Sequence, residues 1–170
     1  MTTDDTVTRA DQPDDGPERE LLLGWLAFYR DAVRAKCEGV SDAALAERTV
    51  APSALSLLGL VRHLAEMEHA YGSWPLSHGT PFAWVWGEYA DDAEDDIDCG
   101  PEDVAVSMRT WREQCAATDA ALACAPDLGG VAPANGRSVR WNLLKLLGEY
   151  ARHCGHADLL RERLDGATGE

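Results

Sequence analysis

The chain has 170 residues, 15 Lys and Arg against 30 Asp and Glu, and a formal charge of −15. That length suits one domain around one core. Basic residues are few and nowhere clustered, which excludes the positive stripe that nucleic-acid backbones require and disfavours an anionic membrane surface. No apolar run approaches the roughly 20 residues that span a bilayer, and the N-terminus has no signal-like segment, so a cytoplasmic protein is expected. Cys37, Cys99, Cys115, Cys124 and Cys154 are odd in number and form no C-x-x-C pair, which favours reduced, packed thiols.

In chain order, residues 1–16 read as a disordered acidic tail and 17–168 as a single helical domain. The first helix is predicted to open at Pro17 and to run through ERELLLGWLAFYRDAVRAKCEG, with Leu21, Trp25, Phe28, Val33 and Cys37 near helical spacing and Gly39 as its stop. A short turn or helix follows at SDAALAER. The second long helix, from Ser53 or Ser56 to Gly72, carries Leu57, Leu60, Leu64 and Met67 on one stripe. Residues 73–100 hold Gly, Pro, Trp74, Trp84 and Trp86, too many breakers for a regular element. Connections of that length inside a compact domain tend to be functional. The third helix is predicted from Pro101 to about Cys124. The fourth is capped by Ser138, runs from Val139 to Asp165 and ends at Gly166. Four helices with one long crossover after the second define an all-α four-helix bundle, whose interior is a natural place for inward-facing metal ligands.

The charge is unevenly placed. Residues 1–20 hold seven acids and 88–103, EYADDAEDDIDCGPED, hold nine, while the remainder is nearly neutral with 14 acids and 13 bases. The loop lacks the ligand spacing of a calcium loop, so a solvated, solubilising role is expected of it.

Chemistry is sought at the histidines. His63, in GLVRHLAEMEHA, lies on or beside the buried stripe of the second helix. A core histidine satisfied by a neighbour is the plain reading of it. On the fourth helix Glu149, His153 and His156 stand at i, i+4 and i+7, bordered by Leu146 and Leu160. The i, i+4 pair places two donors about 6 Å apart on one face, as helical zinc sites do. A carboxylate and an imidazole on an apolar face are costly to leave unpaired, and a divalent cation shared with His63 would satisfy all three. The competing reading is a salt-bridge face, with Glu149 paired to Lys145 or Arg152. Two histidines and one carboxylate with an open position suit a catalytic zinc and also ferrous iron. His156 is the weaker ligand and reads as supporting His153 or facing substrate. Nothing near His69 or His78 suggests that either is held for coordination.

Three strings, ERELLLGWL, SLLGLVRHLAEMEHAY and SVRWNLLKLLGEYARHCGHADLLRERLDG, give the chain a family likeness from about residue 18 to 168. It resembles the DinB-like superfamily of metal-binding four-helix bundles, in particular the branch of mycothiol-dependent S-transferases that lies near mycothiol-dependent maleylpyruvate isomerase. Many DinB-like proteins use three histidines. Glu149 stands four before His153, so the resemblance implies the His-Glu-His variant, with His63, Glu149 and His153 as ligands of a divalent metal, zinc first and nickel or iron as alternatives. It implies mycothiol, or a similar small thiol, as cosubstrate, an electrophilic small molecule as its partner, and pairing into a homodimer. The isomerase carries a further C-terminal domain for which this chain has no room, which favours the S-transferases. Mycothiol carries sugar hydroxyls, so Trp74, Trp84, Trp86 and Trp141 with Arg62, Arg140 and Arg152 are candidate wall residues, each Trp having core packing as its alternative. The segment HAYGSWPL departs from the aromatic pair usual after the second helix. Two other functions remain open at this level: a metal-dependent isomerase or hydrolase, and a non-catalytic metal-binding stress protein.

Overall fold

The computed structural model describes residues 11–87 and 96–168. Most of the expected acidic tail and the first half of the acidic loop lie outside the described residues. Among the described residues the molecule is helical, with one isolated bridge between Val131 and Ser138 and no helix long and apolar enough to cross a membrane.

Helix α1 spans Glu18–Cys37, with Glu18 and Glu20 in its first turn and Arg34 and Lys36 in its last, charges that suit the helix dipole. Its inward stripe is Leu26, Arg30, Val33 and Cys37, whereas the expected Leu21, Trp25 and Phe28 are only half-buried. A short α2 covers Asp42–Leu45. Helix α3, Leu57–Met67, starts where the Ser56 hydroxyl accepts from Gly59 N at 3.0 Å. It is buried almost all round, the mark of a central helix. Helix α4 (Val104–Ala123) is led in by a 3-10 turn at Pro101–Asp103, and α5 runs from Val139 to Asp165. Ser138 accepts from Trp141 N at 3.1 Å to cap α5, and Gly166 ends it in the left-handed region at φ 78°. Helix α1 packs on α5, and α3 packs on both α4 and α5.

The second long helix does not continue as an α-helix to Gly72, as its sequence suggests. From Glu68 to Ser73 it is a π-helix, followed by a 3-10 turn at Trp74–Leu76. The cause lies on α4: the Thr118 hydroxyl donates to the Glu68 carbonyl at 3.0 Å. A Cβ on Gly72 would stand 2.0 Å from Thr118 Oγ1, so only glycine admits this approach.

One buried network ties the long helices together. Glu68 is fully buried and takes Arg30 Nε and Nη2 at 2.7 Å each and the Tyr150 hydroxyl at 2.7 Å. Trp111 Nε1 donates in turn to the Tyr150 oxygen at 2.8 Å. A buried carboxylate is tolerable only when paired and hydrogen-bonded in this way. Burial, reinforced by the Glu68 charge, holds the Tyr150 phenol well above its ordinary range, so it stays a donor.

Candidate metal centre

The α3 and α5 faces bring His63, Glu149 and His153 together, one ligand atom of each lying within 4.8 Å of the others. His63 Nε2 stands 3.8 Å and His153 Nε2 3.6 Å from Glu149 Oε2. The Glu149 side chain is 6% exposed and that of His153 11%. His63 Nε2 is buried and has no hydrogen-bond partner among the described residues. A buried polar atom left without a partner calls for an explanation. Two imidazoles and one carboxylate converging on a point where such an atom aims are the donor set that zinc takes when it keeps one position open. The residues present therefore fit a divalent cation.

The outer nitrogen of each ring is also held. His63 Nδ1 meets Asp96 Oδ2 at 2.6 Å, and His153 Nδ1 meets His156 Nδ1 at 3.2 Å. For the inner Nε2 atoms to serve as lone-pair donors, each Nδ1 would carry the proton and donate it, to the carboxylate in one case and to His156 in the other. Metal-ligating histidines are normally fixed in this manner. Burial, with the His63 and His156 rings close by, pushes His153 down to about 4, so the ring is neutral at pH 7. Burial raises the Glu149 carboxyl, but the Lys145 hydrogen bond and the charges of Lys145 and Arg152 bring it below the usual carboxylate range. The salt-bridge reading of this face thus coexists with the cluster: Lys145 Nζ bonds Glu149 Oε1, and Arg152 Nη1 lies 3.4 Å from Oε2.

The remaining candidates separate. Arg62 turns toward the crossover, donating from Nε to the Asp96 carbonyl at 2.9 Å and lying 4.0 Å from the centre of the Trp86 ring. Trp141 is 41% exposed, two turns before Glu149 on α5. Arg152 is largely exposed. Arg140 pairs with Glu18 at 2.6 Å, away from the cluster. His69 stacks on Phe82, and His78 is exposed. Three of the chain's five thiols are held as poor nucleophiles: burial lifts Cys37 to about 12 and also raises Cys115 and Cys99, while Cys154 donates to the Tyr29 carbonyl.

Two carboxylates escaped the sequence reading. Asp96 belongs to the acidic run whose composition suggests a solvated loop, yet it reaches His63. Glu66, fully buried, accepts from Val85 N at 3.0 Å and Trp86 N at 2.9 Å and so pins the crossover against α3. The signal for Glu66 was available, since it stands three residues after His63 in a helix with no polar face. Nothing in the spacing marked Asp96.

Fold and site together define an all-α bundle with a His-Glu-His cluster inside it. A family model of mycothiol-S-transferases matches residues 21–166, and the chain belongs to that family, which makes it a transferase. No curated protein and no solved structure matches the chain.

Proposed function

We propose that this protein is a zinc-dependent S-transferase that joins mycothiol to an electrophilic small molecule, a detoxifying conjugation carried out in the cytoplasm. The observation that carries this reading is the convergence of His63, Glu149 and His153 around a buried Nε2 that has no hydrogen-bond partner among the described residues. His63 and His153 through Nε2, and Glu149 through its carboxylate, are the residues that would hold the ion.

A free thiol with pKa near 8.5 is mostly protonated at neutral pH, and a zinc ion held by these residues would supply a thiolate by lowering that value. The protein's part is to keep the donors ready. Asp96 and His156 fix the two imidazole tautomers, burial keeps His153 neutral, and Lys145 with Arg152 keeps Glu149 ionised. In the transfer the thiol sulfur forms a carbon–sulfur bond, the electrophile's leaving group departs with the bonding electrons, and the thiol proton passes to solvent.

The test is a thiol panel on zinc-loaded protein with a chlorinated bimane as electrophile. Conjugation of mycothiol is expected, with no turnover when thiol is omitted, and His153→Ala is expected to lose both bound zinc and activity. Turnover without thiol would instead indicate an isomerase or hydrolase. Full metal retention by His153→Ala would remove the proposed ligand set.

A further inference from the structure

The cluster does not end at Glu149. Along α5, Trp141 and Lys145 precede Glu149 at four-residue steps and share its face. Opposite them stands Tyr71, whose ring is 6.3 Å from Trp141 and 5.3 Å from Lys145 Nζ, while Lys145 is bonded to Glu149. Tyr71, Lys145 and Glu149 therefore form a continuous contact from the π-helix to the candidate ligands.

The π-helix is what brings Tyr71 there. Eight residues of regular α-helix would turn Tyr71 about 80° away from His63. Four α steps to Met67 and four smaller π-helical steps of roughly 80° each bring it to within about 10° of His63, on the face that meets α5. The Thr118 hydroxyl on the Glu68 carbonyl and the bare Cα of Gly72 hold that register. π-Turns inside helices often mark functional sites.

The geometry points to Tyr71, Trp141 and Lys145 as a subsite for the sugar portion of the thiol cosubstrate, a reading that rests on the transferase assignment above. Trp141 offers a solvent-facing aromatic ring, 41% exposed, on which the C–H face of a sugar ring can stack. Arg137, 4.7 Å from the centre of that ring, and Lys145 offer N–H donors to hydroxyl oxygens. Trp141 lies eight residues from Glu149, about 12 Å along the helix axis.

Calorimetric titration of zinc-loaded wild type, Trp141→Ala and Trp141→Phe with mycothiol and with sugar-free N-acetylcysteine tests the subsite. Wild type is expected to prefer mycothiol, and Trp141→Ala to reduce that preference about tenfold, with Trp141→Phe restoring most of it. Equal affinity of wild type for the two thiols, or a preference unchanged in Trp141→Ala, overturns the subsite. Conjugation measured on the same wild-type sample separates the two ideas. Turnover with an unchanged preference sinks the subsite alone, whereas a Trp141-dependent preference without turnover sinks the transferase reading and leaves the subsite.

Discussion

Asp96 acts on His63 through one short contact, 2.6 Å from Oδ2 to Nδ1, and is itself placed by the Arg62 guanidinium on its carbonyl. Removing a carboxylate that orients a ligating histidine typically costs ten- to a hundred-fold in metal affinity. Asp96→Ala is therefore expected to weaken zinc binding by about that factor, measured by competition with a chromophoric chelator, while helical content stays the same. Unchanged affinity would mean that Asp96 only ties down the crossover. Residue by residue, legibility followed sequence distance. Glu149 and His153 were visible because a helix turns i, i+4 spacing into proximity, and His63 because its apolar neighbours placed it near the core. Asp96 is 33 positions from its partner, across an irregular segment, and no periodicity connects them.

Among the elements, α5 was read to its end residues because Ser138 and Gly166 punctuate it with local chemistry. The π-helix could not be read in this way. Its register depends on a hydroxyl from α4, a tertiary partner that a local pattern does not contain. Gly72→Ala would drive a methyl into Thr118 and is expected to cost about 2–3 kcal/mol in denaturant unfolding. Thr118→Ala in the same chain should recover part of that loss, because the two residues contact and their effects should not add. Strictly additive losses would show that the contact does not set the local packing.

At the scale of the molecule, the charge of −15 belongs mostly to a tail and a loop, but the loop is not simply solvated. Its described end is bonded to other parts of the fold, Asp96 to His63 and Asp98 to Arg48 at 2.8 Å, while Asp103 accepts from Gly100 N at 3.0 Å within the loop itself. The crossover is thus fastened to α3 just before the acidic run, by Glu66 at Val85 and Trp86, and within it, by His63 at Asp96. Acidic residues that composition assigns to solubility here also hold the candidate centre in shape. The central claim is that the bundle uses a divalent cation at His63, Glu149 and His153 to transfer a thiol. Its most direct test follows mycothiol conjugation in one sample as isolated, after stripping with a chelator, and after one equivalent of zinc is restored. The account predicts loss of conjugation on stripping and its recovery on restoration. Conjugation that persists undiminished in fully stripped protein would contradict it.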